Sequence, residues 1–386
     1  MRASEHACHT AVRASGKLHQ PDPPPHFRIH PTPTLITTYR RGLLAAPLAH
    51  SPCSEAQASP ASMRRSALDH AANFILEQLA VRQQGPRSGD SARKGPLVVG
   101  LQGPQGSGKS YLASKLPGRL VELAQQADPP FPPPRAVAVS LDDLYLPWTN
   151  LKKVAENAPT NALLSGRGQA GTHDLDLGRR VLDQLKNPTP GSEVLIPVFD
   201  KSSHDGEGDR LDQSEWVRVE HADQVDVVLF EGWMNGFLPR THFAPREDLL
   251  EVYRAAEQDP KGQRTNLGID YDRPFILDYS LENLDRIQRE LSQYEQLWKF
   301  IDVFVQLKPE RLSYVWQWRL EQEHNMKAKN GGVGMTDAQV LDFVARYMPG
   351  YELWLPNITK GRNSWTMRGL SIEMNEAREA VSYSMF

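Results

Sequence analysis

Gly103, Gly106 and Gly108 lead into Lys109 and Ser110 in the run Gly103-Pro104-Gln105-Gly106-Ser107-Gly108-Lys109-Ser110. A glycine, four residues and then Gly-Lys-Ser is the spacing at which a turn folds its backbone N–H groups around phosphate oxygens. The glycines take dihedrals closed to other residues and let the chain come close to a ligand. A lysine at that point reaches the β- and γ-phosphates of a nucleoside triphosphate, and the serine hydroxyl is placed for Mg²⁺. Residues 103–110 are therefore expected to bind ATP, with Lys109 also catalytic and Ser110 a metal ligand.

Phosphoryl transfer also needs an acceptor oxygen held in line with the γ-phosphate, and spreading negative charge must be neutralised. Asp142 follows the apolar run Arg135 to Leu141 and can accept the acceptor hydroxyl's proton. Glu231 follows Val225 to Phe230 and can hold Mg²⁺ through water. Arg319, in Val315-Trp316-Gln317-Trp318-Arg319-Leu320, can close over the phosphates and shut out water. The plainer alternatives are a helix-capping role for Asp142 and Asp143 and an exposed helix face for Arg319. Tyr145, Arg167, His173, Asp174, Lys201 and Arg210 lie in the loops between elements and are candidates for holding the acceptor. Cations in such loops suit an acidic acceptor, because Arg and Lys bind carboxylates through charge-assisted hydrogen bonds.

These residues need a scaffold that brings separate segments together. Leu97 to Leu101 is a short apolar run bounded by turn residues, as in a buried parallel strand, and a helix follows the glycine loop. Further strands are expected at 135–141, 194–199, 225–230, 301–307 and 370–374. Helices are expected at 66–83, 175–185, 281–300, 311–329 and 336–347. Residues 150–173 read as polar and glycine-rich loop, and 237–275 as an insertion without clear period. Strands alternating with helices argue for a parallel sheet. In such a sheet ligands bind along the edge formed by the strand C-termini. Gln102, Asp142 and Glu231 each follow a strand, so topology alone places them on that edge.

The chain has 386 residues, 39% hydrophobic and 24% charged, enough to bury a sizeable core. A formal net charge of −3 offers no broad attraction to nucleic acid or anionic lipid, and no apolar run reaches membrane-spanning length. Cys8 and Cys53 both lie in the N-terminal segment, so no disulfide or metal cluster is expected to support the fold. Residues 1–62, with Pro21-Asp22-Pro23-Pro24-Pro25 and no apolar periodicity, read as a disordered extension ahead of a domain at 63–386. Arginine outnumbers acid there, as in transit peptides, so a cytoplasmic protein is expected with organelle targeting as the alternative.

The ordered set of motifs resembles the D-glycerate 3-kinases of the plant and fungal type. It comprises residues 103–110, Ser140-Leu141-Asp142-Asp143-Leu144-Tyr145, Gly166-Arg167-Gly168 through Gly171-Thr172-His173-Asp174, and Phe199-Asp200-Lys201-Ser202. Gly208-Asp209-Arg210, Phe230-Glu231-Gly232-Trp233, Trp318-Arg319-Leu320 and Gly334-Met335-Thr336 complete it. The resemblance covers about residues 95–375 and extends to fungal ATP-dependent kinases. It implies a P-loop NTPase-type α/β fold, three-layered around a mostly parallel sheet with a helical lid near 311–330. It implies a catalytic aspartate at Asp142 and a catalytic or metal-linked acid at Glu231. The implied reaction is ATP-dependent phosphorylation of D-glycerate to 3-phosphoglycerate. A pantothenate- or nucleoside-like acceptor, and a non-catalytic ATP-binding regulator, are the other readings. The long 237–275 segment and His324-Asn325 in the lid helix depart from the family pattern and bear on the acceptor, not on ATP.

Overall fold

The computed structural model describes residues 65–84, 95–128, 130–240, 248–329, 331–360 and 363–386, all within one compact unit, Ser62–Phe386. The extension read at 1–62 lies outside the described residues, as does the linker beyond residue 84.

Ten strands are described: β1 Leu97–Gln102, β2 Ala136–Ser140, β3 Val194–Ile196, β4 Phe199–Asp200, β5 Asp209–Arg210, β6 Val217–Val219, β7 Val227–Gly232, β8 Val303–Pro309, β9 Gly369–Met374 and β10 Ala380–Met385. Six form the central sheet in the order β10-β9-β8-β1-β7-β2, parallel except for the antiparallel edge strand β10. Every residue of β1 and β7 is buried, as expected for apolar strands covered on both faces. Alternation along the strands separates the two faces. Leu97, Val99, Leu101, Val227, Leu229, Val303, Val305 and Leu370 share one core with Phe74 and Ile75 of helix Ala67–Gln84 and Leu112, Leu116 and Leu120 of helix Lys109–Gln126. On the other face Phe230 meets Trp298 and Phe304 meets Trp365. No helix among the described residues is long and apolar enough to cross a membrane.

Several expected elements differ in detail. The segment 281–300 is two helices, Leu281–Ser292 and Glu295–Trp298. The break lets Tyr294, Leu297 and Trp298 all enter the core. The polar stretch after Trp148 is helical through Glu156, and the 237–275 segment contains helices Leu249–Gln258 and Arg264–Leu267. Both were hidden because their periodicity is short and interrupted. β10 has no clear signal in the sequence, because an edge strand that is largely exposed carries too weak an apolar pattern. The strand expected at 194–199 divides into β3, paired with β6, and β4, which forms a two-stranded hairpin with β5; both lie outside the central sheet.

Register does the positioning. Gln102 lies opposite Gly232, and Ser140 opposite Glu231. The ends of β1, β7 and β2 are therefore neighbours, and the loops that follow them share one edge of the sheet.

Candidate active site

β1 ends in Gln102, and the chain then curls through residues 103–108 into helix Lys109–Gln126. Gly106 and Gly108 have φ of 75° and 87°, left-handed values that L side chains rarely take. Gly106 is also pressed against the helix Tyr314–Lys329, where a Cβ would stand 2.5 Å from Trp318 Cβ and 2.7 Å from its carbonyl carbon. The Gln105 N–H donates to the Tyr351 hydroxyl at 3.0 Å, and Arg378 Nε donates to the Gly106 carbonyl at 2.7 Å. Arg378 also pairs with Glu321 at 2.7 Å and lies over the Trp318 ring. The loop is thus held by side chains from two remote segments, while its own N–H groups sit at the positive end of a helix.

Two hydroxyls converge on one acid beside this loop. Ser110 Oγ donates to Glu231 Oε1 at 3.2 Å, and Ser140 Oγ donates to the same oxygen at 2.8 Å. Glu231 is 7% exposed and its Oε2 is buried without a partner. A buried carboxylate oxygen without a donor is costly unless something positive meets it. An all-oxygen set of a carboxylate and a serine hydroxyl is the kind Mg²⁺ takes. The residues fit the ion.

Asp142 leaves β2 in a short 3₁₀ turn, Leu141–Leu144, capped by the Ser140 side chain. Its Oδ2 accepts from Lys201 Nζ at 2.6 Å, and its Oδ1 is buried without a partner. Burial disfavours the charge on Asp142, but the Lys201 and Lys109 ammonium groups outweigh it and hold the carboxyl well below the usual carboxylate range. Asp143, next in sequence, points elsewhere. Its Oδ1 accepts the Phe199 N–H at 3.1 Å, and burial pushes its carboxyl up to about 6. Neither aspartate is the cap: Ser140 caps the turn, and Asp142 and Asp143 lie inside it with their carboxylates on Lys201 and the Phe199 N–H.

The hairpin β4–β5 and the loop 166–174 close the other side. Lys201 comes from the hairpin, and Arg167 donates to the carbonyls of Gly206 and Glu207 within it. Tyr145 is buried and stacked on His173, ring centroids 4.3 Å apart, and the two residues form an isolated β-bridge. Burial drives the His173 ring down to about 3, against the pull of Asp142, so His173 is a neutral ring, unlike the Arg and Lys side chains of these loops. Asp174 caps helix Leu175–Lys186 and pairs with Arg210 at 3.0 Å, while Arg210 also donates to the Tyr145 carbonyl at 2.6 Å. Asp174 and Arg210 therefore tie the loops to each other.

Lys109, Ser110, Asp142, Glu231, Lys201, Arg167, His173 and Tyr145 are gathered at this edge. Arg319 is held differently: it pairs with buried Glu323 at 2.7 Å and lies over the Phe343 ring, and it is its neighbour Trp318 that meets the phosphate loop. Sequence reading missed Tyr351, Tyr347, Trp233 and Arg378. Trp233 packs edge-on against both tyrosines and donates from Nε1 to the Gly168 carbonyl. Gly168, with φ of 139°, leaves room for the Tyr347 hydroxyl, which would lie 2.5 Å from a Cβ there. The one available signal was the position of Trp233, directly after Glu231-Gly232. A cavity of about 420 Å³ lined by Leu177, Arg180, Glu193 and Trp216 shares no residue with this site.

No protein-family model matches the chain. Among solved structures, the D-glycerate 3-kinase from Cryptococcus neoformans superposes with a TM-score of 0.69 at 41% identity, covering 83% of this chain and all (100%) of that one. The chain belongs to the D-glycerate 3-kinase family. A chloroplastic D-glycerate 3-kinase from Arabidopsis thaliana is 33% identical over 309 residues, 79% of this chain. The chain spans 58% of that plant relative's length. An uncharacterized kinase from Schizosaccharomyces pombe is 34% identical over 68% of this chain and 83% of its own length.

Proposed function

We propose that the chain is an ATP-dependent kinase that phosphorylates the 3-hydroxyl of D-glycerate, giving 3-phosphoglycerate and ADP. The observation that carries this reading is Asp142: one carboxylate oxygen is paired to Lys201, and the other is buried, unpartnered and beside the phosphate-loop lysine. An acceptor hydroxyl donating to Oδ1 gains a fixed direction towards the γ-phosphorus. In a loose transition state deprotonation is late, so that orientation matters more than basicity. Lys109 neutralises charge on the transferring group. Ser110 and Glu231 are the residues that would hold Mg²⁺; when bound, the ion neutralises phosphate charge as a Lewis acid. Lys201 and Arg167 offer the acceptor's carboxylate two cations, the chemistry expected for a small hydroxy acid. For Arg319 to reach the phosphates it would have to leave Glu323.

A nucleoside acceptor would need an aromatic face to stack on. Tyr145 is stacked on His173, and Trp148 lies flat against His204 at 4.2 Å while donating to Glu207. Both faces are engaged within the protein, which favours the hydroxy acid. A purely regulatory ATP-binding protein would have no use for the free oxygen of Asp142. The expected location is cytoplasmic. Residues 1–62 are the segment that would redirect the chain to an organelle, in line with the chloroplastic relative's name.

The test is ADP release with D-glycerate, pantothenate, uridine and ribulose 5-phosphate as acceptors. D-Glycerate should give the highest kcat/KM; a higher value for any of the others would replace it as acceptor.

A further inference from the structure

His173 has a property that the acceptor reading above does not use. Its Nδ1 lies 2.6 Å from the Tyr294 hydroxyl, and its Nε2 is buried without a partner. The direction of the bond at Nδ1 follows from what else meets Tyr294. The phenol oxygen accepts the Gly171 N–H at 3.1 Å, and the amides of Thr172 and His173 also face it. Burial keeps the phenol protonated. With backbone donors already on the oxygen, the hydroxyl hydrogen is left to point at Nδ1. Nδ1 is then the acceptor, and in a neutral ring the remaining proton must sit on Nε2.

A buried N–H without an acceptor is costly, and native proteins keep such groups where a ligand completes them. This N–H belongs to a ring stacked on Tyr145 and close enough to Asp142 for that carboxylate to act on it. The charged groups around this space include Asp142, Lys201, Arg167 and Lys109, with Glu231 also within reach of Lys201. Lys201 and Arg167 suit the acceptor's carboxylate, and Asp142 Oδ1 suits the reacting hydroxyl. A neutral buried donor is best matched to a neutral oxygen, because a carboxylate placed against it alone would lose hydration without gaining a countercharge.

We propose that His173, held by Tyr294 as the Nε2–H tautomer, donates a hydrogen bond to the hydroxyl neighbouring the one phosphorylated, and so selects 2,3-dihydroxy acids over acids with a single terminal hydroxyl. His173 is then a specificity residue and Tyr294 a positioning residue that sets its tautomer. The proposal rests on a small hydroxy acid being the acceptor.

The experiment compares D-glycerate with 3-hydroxypropanoate, which keeps the carboxylate and terminal hydroxyl but lacks the 2-hydroxyl. Both are measured with the wild type, His173→Leu, His173→Gln and Tyr294→Phe at saturating ATP. In the wild type D-glycerate should be preferred. His173→Leu should lower kcat/KM for D-glycerate by about tenfold, the value of one buried hydrogen bond, and leave 3-hydroxypropanoate within about threefold. His173→Gln, whose amide nitrogen can stand near the Nε2 position, should keep most of the preference, and Tyr294→Phe should lose part of it. KM for ATP should not move in any variant, which separates a specificity role from general loss of structure. Equal losses for both acceptors in His173→Leu, or no preference in the wild type, would overturn the proposal. ¹⁵N NMR of the His173 ring in the full chain gives an answer that needs no acceptor. An Nε2–H tautomer that shifts towards Nδ1–H in Tyr294→Phe is expected, and an Nδ1–H wild type would overturn the assignment. Failure of the wild type to use either acid would instead remove the hydroxy-acid acceptor, leaving the tautomer to be decided by the spectrum.

Discussion

Asp142 and Asp143 are adjacent in sequence and opposite in behaviour. Asp142 is held ionised by Lys201 and Lys109 in spite of burial, whereas burial lifts Asp143 to about 6. Asp142→Asn keeps the shape but loses the charge and the proton acceptor. Steady-state rates should show kcat down on the order of 10²–10⁴-fold, the range of a positioned base, with KM for ATP little changed. Asp143→Asn should be much milder, since an amide oxygen can still accept the Phe199 N–H. Its stability effect has a definite sign. Between 3.8, its unfolded value, and about 6 the folded state binds more protons, so this carboxyl's contribution falls as pH rises through that window. Above it, removing the charge should help, and thermal melts of Asp143→Asn at pH 8 should show a gain on the order of 1 kcal/mol that disappears near pH 4. A lower melting temperature at pH 8 would contradict this. Lys109→Ala should lower kcat by roughly 10²-fold or more, as for other groups that stabilise transition-state charge. A loss within about threefold would refute the phosphate-loop assignment.

At the scale of elements, the phosphate loop is clasped from outside. Helix Tyr314–Lys329 sets Trp318 against Gly106, and the β9–β10 turn sends Arg378 to the Gly106 carbonyl. Gly106→Ala meets two obstacles at once: a left-handed φ that costs about 1–2 kcal/mol for a residue with a Cβ, and the Trp318 backbone within 2.7 Å of that Cβ. ATP binding measured by calorimetry should weaken at least about tenfold, with the acceptor's affinity spared. The β4–β5 hairpin is the corresponding element on the acceptor side. It brings Lys201 to Asp142 and is anchored through Arg167 and through Asp209, which accepts the Trp148 N–H at 2.8 Å. Lys201→Met should raise KM for D-glycerate more than KM for ATP.

At the scale of the whole molecule, the proposed catalytic groups sit on one compact unit beginning near Ser62. The core beneath them is formed by helices Ala67–Gln84 and Lys109–Gln126 against the sheet. A chain starting at Ser62 should therefore retain cooperative unfolding and kcat close to the full-length values, because residues before it carry no apolar periodicity. Loss of a cooperative transition on truncation would show that the N-terminal segment contributes to the fold.

The sequence by itself determined the parts whose chemistry is local. The spacing from Gly103 to Ser110 specifies a phosphate-binding turn because backbone dihedrals and helix polarity act over a few residues. The apolar runs before Gln102, Asp142 and Glu231 specify parallel strands, whose ends lie on one edge; β1 and β7 are buried throughout, whereas β2 lies at the rim of the sheet and buries only Val139 fully, which the apolar run alone did not indicate. The tertiary structure decided what depends on distant partners. It showed that Asp142 and not Asp143 faces Lys109 and Lys201. It showed that His173, one of the loop residues expected to hold the acceptor, is neutral because it is buried. It placed Arg319 on Glu323, an ion pair one helical turn away that spacing allows but does not require. It brought Tyr351 and Arg378 onto the phosphate loop from 246 and 272 residues away. Charge state, side-chain direction and remote clasps depend on burial and packing, and those exist only once the chain has closed on itself.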